Sequence, residues 1–245
     1  MNSNNTYYKA LANKNQIAVL IDPEKSNDEA SLIKLLEKAS FAGVDFIFVG
    51  GSTVTKEEFE TCISIVKENT DLPVFIFPGS AQQVSSKADA LLYLSLIAGR
   101  NPDFLIGHHV ASANEVYDMD ISVLPTAYLL IDGGTNSSVA YVSQTTPIPS
   151  DKTSIILNTA KAGILQGKQV LYLDAGSGAK QHVPIEVVRK VSALDRPVII
   201  GGGVRNEGEI EAIHKAGANV VVIGNKIEEE MEFLLDIHNY KKRSS

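Results

Sequence analysis

Short apolar runs rich in β-branched residues recur along the chain, at Ile17–Ile21, Val44–Val49, Val74–Phe77, Ala90–Leu96, Leu124–Ile131, Val170–Leu173, Val198–Ile200 and Val220–Ile223. They are continuous rather than alternating, the pattern of strands buried on both faces, as in a parallel sheet. Segments with helical spacing separate them. Asn27 to Gly43 carries Leu32, Leu35, Leu36 and Ala39 and closes on glycine. Thr55-Lys56-Glu57-Glu58 has the form of a capping box ahead of Phe59, Ile63 and Val66. Ser154–Leu165, Ile185–Leu194, Glu207–Ala216 and Ile227–Ile237 continue the alternation. This rhythm predicts an α/β protein built as a single closed (β/α)8 barrel domain over residues 1–245.

Two intervals break the rhythm. Only the twelve residues from Pro78 to Asp89 separate the third and fourth runs, too few for a loop, a helix and a return loop. A short irregular segment is predicted to replace the third helix. Conversely, Ile131 to Asp151 is long and rich in Gly, Ser, Thr and Pro, which predicts a functional loop that covers the site. Ahead of the first run, Tyr7, Tyr8 and Leu11 predict a helix that either closes the barrel bottom or joins a subunit interface.

Composition narrows the function. With 245 residues and 44% apolar content, a large core needs no covalent staples. The net charge of −7 argues against nucleic acid, whose phosphates call for concentrated Lys and Arg. Cys62 is the single cysteine, which excludes an internal disulfide and any zinc site with two thiolates and fits a reducing cytoplasm. No signal-peptide core or membrane-spanning run is present, so a soluble protein is expected. Tyr240-Lys241-Lys242-Arg243 reads as a solvated tail, with peripheral contact to anionic lipid as the alternative.

In such barrels the loops after the strands build the active site, so the residues just past each apolar run carry the chemistry. Gly201-Gly202-Gly203 and Gly224-Asn225 follow the seventh and eighth runs, the usual place of a phosphate cradle, where glycine lets backbone N–H groups approach an anion. Asp22 and Ser52 end the first and second runs and could share Mg2+, a hard cation that takes oxygen ligands; helix capping would use the same residues. Asp174 is the charged strand end followed by Gly-Ser-Gly, either a site carboxylate or a buried turn former. Phe77, Tyr93, Phe104 and Tyr128 are candidates to line an apolar groove, against the alternative of core packing. His108 and His109 read as structural, since adjacent side chains on a helix point apart.

The segments IDPEK, VGGST, FPGS, GRNPDFLIGHH, AYLLIDGG, YLDAGSGA, GGGVRN and VVIGN, in this order, resemble the geranylgeranylglyceryl phosphate synthases and their bacterial relatives. The resemblance implies a modified TIM barrel that lacks its third helix. It implies a prenyltransferase of ether-lipid biosynthesis that joins the C3 hydroxyl of sn-glycerol 1-phosphate to a polyprenyl diphosphate, with geranylgeranyl diphosphate as the expected donor, and releases diphosphate. It implies Mg2+ at Asp22 and Ser52. Glycerol phosphate would lie along Tyr172, Leu173, Asp174, Ala175, Gly176, Ser177 and Gly178, with its phosphate at Gly202, Gly203, Gly224 and Asn225. Asp174 stands where the family often has Glu; it would orient or deprotonate the hydroxyl, with Tyr172 bonding the glycerol. Family members are commonly homo-oligomers. From the cradle alone, an isomerase or lyase of a phosphorylated sugar, or a noncatalytic phosphate-ester binder, remains an alternative.

Overall fold

A computed structural model describes residues 6–26 and 28–244. The chain runs α1 (Thr6–Leu11), β1 (Gln16–Ile21), α2 (Glu29–Ala42), β2 (Phe46–Val49), α3 (Lys56–Asn69), β3 (Val74–Ile76), β4 (Ala90–Leu96), α4 (His108–Asp118) and β5 (Ser122–Leu130). It continues with α5 (Ser138–Val142), α6 (Thr153–Leu165), β6 (Val170–Asp174), α7 (Ile185–Ser192), β7 (Val198–Gly201), α8 (Glu207–Lys215), β8 (Val220–Ile223), α9 (Asn225–Glu229) and α10 (Phe233–Ser244). The eight strands close into one parallel barrel, β8 pairing with β1 through Ile17 and Val221. Asn27, where the sequence begins the first crossover helix, lies outside the described residues, as do Met1–Asn5.

Each apolar run serves two cores at once. Because side chains alternate across a strand, Ala18, Phe46, Phe48, Phe75, Leu92, Tyr128, Tyr172 and Val222 fill the barrel interior. Their neighbours Val19, Ile47, Ile76, Leu91, Leu129, Leu173 and Ile223 pack outward against the helices. The same parity carries Asp22 and Phe77, one step beyond their strands, and Asp174, at the end of β6, towards the mouth on the inner side.

The crossovers form as their sequences direct. Thr55 and Glu58 cap α3 reciprocally, the Thr55 hydroxyl accepting from the Glu58 N–H at 3.3 Å and the Glu58 carboxylate from the Thr55 N–H at 3.0 Å. No helix forms between β3 and β4, in agreement with the short interval. The long segment after β5 is more ordered than its composition suggests: Ile148 is buried and bridges to Ile131, and α5 interrupts the loop.

At the bottom, α1 covers the interior, with Leu11 buried and Tyr7 edge-on to Phe75 at 5.5 Å between ring centres. The final segment is no solvated tail. It is the docked helix α10, in which Tyr240 is buried, Lys241 pairs with Asp45 at 2.7 Å and Arg243 pairs with Glu207. Half of its anchor is a buried imidazole: His214 Nε2 faces the Gln16 carbonyl at 3.0 Å and Nδ1 faces the Tyr240 hydroxyl at 2.6 Å. A neutral ring satisfies both by donating from Nε2 and accepting at Nδ1. No helix among the described residues is long and apolar enough to cross a membrane.

Burial pushes the His214 imidazole down to about 4, with the Gln16 hydrogen bond opposing and the Lys241 charge adding to the fall. The unfolded ring, near 6.5, therefore takes up a proton where the folded one does not. This contribution to stability is complete above the unfolded value and is lost as pH falls towards about 4. A His214→Gln variant, which keeps a donor and an acceptor but does not titrate, should show a shallower fall in urea midpoint between neutral pH and that value. Equal slopes would remove His214 from the acid response.

Candidate active site

A cavity of about 570 Å3 opens at the carboxyl ends of the strands. Asp22, Ser52, Phe77, Tyr128, Tyr172, Asp174, Ser177, Gly178, Gly202, Gly203, Gly224 and Asn225 all line it, so residues up to 203 positions apart meet in one space. Leu173 and Ala175 do not reach it; their side chains turn into the helix-facing core because they alternate with Tyr172 and Asp174. Gly176 does not line the space either and contributes instead through its N–H.

Asp174 is held from two sides. The Tyr128 hydroxyl donates to Oδ2 at 2.6 Å and the Gly176 N–H donates to Oδ1 at 2.7 Å. Burial pushes its carboxyl above the ordinary range, while both hydrogen bonds pull the other way. Burial, then the Asp174 charge, push the Tyr128 and Tyr172 phenols well above their usual value, so both remain protonated donors. Tyr128 spends its proton on Asp174. The Tyr172 hydroxyl makes no hydrogen bond among the described residues and is free to donate to a ligand. Its ring is clamped by Phe77, stacked at 4.9 Å, and by Gly201, where a Cβ would come within 2.6 Å of the hydroxyl.

The cradle lies beside this pair. Gly202 has φ of +79°, and a Cβ there would lie 2.7 Å from Asp174 Oδ1 and 2.8 Å from the Gly176 nitrogen, so a side chain is excluded both by strain and by space. Asn225 joins the loops after β6 and β8: its Oδ1 accepts from the Ser177 hydroxyl at 3.0 Å and from the Gly178 N–H at 3.3 Å.

At the end of β1, the strand that pairs with β8, Asp22 Oδ1 accepts from the Glu24 N–H at 3.2 Å, so the capping role exists. The carboxylate still faces the cavity, and burial raises its pKa above the usual value. A nearby cation would favour the charged form that burial disfavours. The Ser52 hydroxyl makes no hydrogen bond among the described residues. No cluster of three or more His, Cys, Asp and Glu suited to a metal occurs among them. One carboxylate and one hydroxyl suit Mg2+ when substrate phosphates supply the remaining oxygens. Cys62 is buried, and burial pushes its thiol up to about 12, which leaves it unreactive.

The cavity also leaves the barrel sideways. Tyr93 and Leu91 point to the outer face of β4, yet both line it, because no helix covers that face after β3. Phe104 lines the same arm, and so do both histidines. The two adjacent rings pack on different partners. Asp103–Gly107 forms a π turn, closed by the His108 N–H on the Asp103 carbonyl. His109 stacks on Tyr93 at 4.1 Å and bonds the Leu94 carbonyl at 2.6 Å; burial holds its pKa low. His108 meets Phe104 edge-on at 4.7 Å.

Three cations that had been given no role in the sequence reading also border the cavity: Lys25, paired with Glu228 at 2.8 Å, Arg205 and Lys226. All three stand in or beside quoted motifs, next to the strand-end residues singled out.

The class is thus a (β/α)8 barrel with its site at the carboxyl ends of the strands. A profile of the PcrB family matches residues 10–241, and the chain belongs to that family. The geranylgeranylglyceryl phosphate synthase of Chitinophaga pinensis is 47% identical over 90% of this chain and 87% of its own length. That of Zunongwangia profunda is also 47% identical, over 88% of this chain and 92% of its own length. The crystal structure of (S)-3-O-geranylgeranylglyceryl phosphate synthase from Thermoplasma acidophilum, in complex with the substrate sn-glycerol-1-phosphate, superimposes with a TM-score of 0.90 at 35% identity, covering 99% of this chain and 98% of that one.

Replacing Tyr128 by Phe removes a hydrogen bond that favours the charged form of Asp174. The Asp174 pKa should rise further, read from the pH dependence of its carboxyl carbon chemical shift. An unmoved titration would show that the 2.6 Å contact does not tune this carboxylate.

Proposed function

We propose that this protein is a prenyltransferase that forms an ether bond between the C3 hydroxyl of sn-glycerol 1-phosphate and a polyprenyl diphosphate, releasing diphosphate. The observation that carries the reading is the juxtaposition of a fixed carboxylate, a free phenol and a glycine cradle in one cavity with a sideways apolar arm. The glycerol phosphate bound to the Thermoplasma acidophilum enzyme, a neighbour of nearly identical fold, supports the acceptor.

The acceptor's phosphate lies at Gly202, Gly203, Gly224 and Asn225, where backbone N–H groups can meet it. Tyr172 donates to the glycerol, and Asp174 accepts from the C3 hydroxyl. Tyr128 and Gly176 fix the direction of that carboxylate, so attack needs little reorganisation. The hydroxyl oxygen bonds to the allylic carbon, the carbon–oxygen bond to diphosphate breaks with its electron pair leaving on the diphosphate, and the hydroxyl proton passes to Asp174. Its raised pKa makes Asp174 a better base than an exposed aspartate.

The donor's diphosphate belongs beside Asp22, where Lys25 lines the same cavity. Mg2+ held by Asp22 and Ser52 would neutralise the departing diphosphate and so ease its loss. The prenyl tail lies in the arm past Phe77, Tyr128, Phe104 and Tyr93, where burial is worth about 0.8 kcal/mol per methylene. Val110 on α4 and Leu165 on α6 are exposed apolar side chains that a second copy would cover in a homo-oligomer.

The test is a transfer assay with sn-glycerol 1-phosphate and its 3-phosphate enantiomer, each offered with prenyl diphosphates of several lengths and Mg2+. Ether product from the 1-phosphate alone is expected, and its absence with every donor would sink the reading. Asp174→Asn should lower kcat by about a hundredfold or more with little change in acceptor affinity. Asp22→Ala should abolish Mg2+-dependent transfer and leave the thermal melt in place; unchanged turnover at saturating diphosphate would remove Asp22 from the metal.

A further inference from the structure

The segment that stands in place of the third helix contains a glutamine whose side chain is wholly buried, yet which does not border the cavity. Gln83 Oε1 accepts from the Gly79 N–H at 2.9 Å, and Gln83 Nε2 donates to the Gly51 carbonyl at 2.7 Å. Weaker contacts at 3.5 Å reach the Gly51 N–H and the Val54 carbonyl. One carboxamide thus joins the loop after β2 to the loop after β3, using both its acceptor and its donor.

Those two loops touch backbone to backbone. A Cβ on Gly50 would lie 1.8 Å from the Phe77 carbonyl oxygen, and one on Gly79 would lie 2.2 Å from the Gly51 carbonyl oxygen. A Cβ on Gly51 would lie 2.5 Å from Asp22 Oδ1. Gly51 is therefore caught between the carboxylate in front and Gln83 behind, and Ser52 follows it directly. The two loops have no regular ladder at this level, because the β2–β3 pairing ends at Val49 and Ile76. An amide that matches their free donor and acceptor replaces the missing ladder.

We infer that Gln83 is a positioning residue for the diphosphate side of the site, holding Gly51, Ser52 and Gly79 in register against Asp22. This rests on the transferase reading for its substrate. The glycerol phosphate side, built from the loops after β6, β7 and β8, shares none of these bonds. Losing the carboxamide should therefore separate the two substrates.

The experiment compares wild type with Gln83→Met, which keeps length and apolar packing but makes neither bond, and with Gln83→Glu, which keeps an acceptor for the Gly79 N–H. Calorimetric titration measures binding of inorganic pyrophosphate with Mg2+ and, separately, of sn-glycerol 1-phosphate; steady-state assays give kcat and KM for both substrates. For Gln83→Met, pyrophosphate binding and kcat/KM for the prenyl diphosphate should fall about tenfold to a hundredfold, the scale of a misplaced reacting group. Binding of sn-glycerol 1-phosphate should stay within about twofold, the variation expected of an undisturbed distant site. Gln83→Glu should recover part of the loss. Unchanged pyrophosphate binding would overturn the inference, and so would an equal loss for both ligands with a lower melting temperature, which would mark a merely structural residue. A wild type that makes no ether product would overturn the transferase reading alone, since the pyrophosphate titration reads Gln83 without turnover.

Discussion

A closed parallel barrel obliges every strand to divide its side chains between an enclosed interior and an outer, helix-covered layer, in strict alternation. The rest of this structure depends on that constraint. Once Val170 and Tyr172 face inward, Asp174 must do so as well, and it arrives beside Tyr128, two strand positions beyond Thr126 on the neighbouring strand. The same alternation makes Leu173 a partner of the helices rather than of a ligand. Chemistry and packing are thus interleaved residue by residue, and a carboxylate at a strand end inherits its direction from apolar residues below it.

Interruption of the outer layer is the second determinant. Where a helix would cover β3 and β4, the chain supplies only a compact turn, so the outer face of β4 is left to the π turn and α4. An inner cavity can then continue past the barrel wall. A polar region ringed by the loops after β6, β7 and β8 and an apolar arm past Tyr93 then share one cavity without widening the barrel.

Much of this was legible in the sequence, and the remainder was hidden for identifiable reasons. The strands were visible because burial on both faces leaves continuous apolar runs, and the absent helix because twelve residues cannot contain one. Asp22, Ser52, Asp174 and the glycines were found by their places after strands, a signal of position rather than of contact. The π turn ahead of the two histidines was not legible, since adjacent residues alone do not announce one. Ionic contacts such as that between Lys25 and Glu228 join residues 203 positions apart and have no local signature. The docking of α10 was missed for a similar reason: charge suggested a tail, whereas a buried tyrosine immediately before the basic cluster holds it to an imidazole on α8.

The carboxylate at the end of β6 also bears on how far the fold is from its own stability optimum. A group whose acid is strengthened by two hydrogen bonds and yet titrates above its normal range is one whose ionised form costs the folded chain free energy at neutral pH. The surrounding barrel, with its paired aromatic rings and its two cores, must offset that cost. Substitutions that neutralise the position can therefore yield a sturdier protein and, on the proposed reaction, a poorer catalyst. Selection for heat resistance without selection for turnover would be expected to begin there.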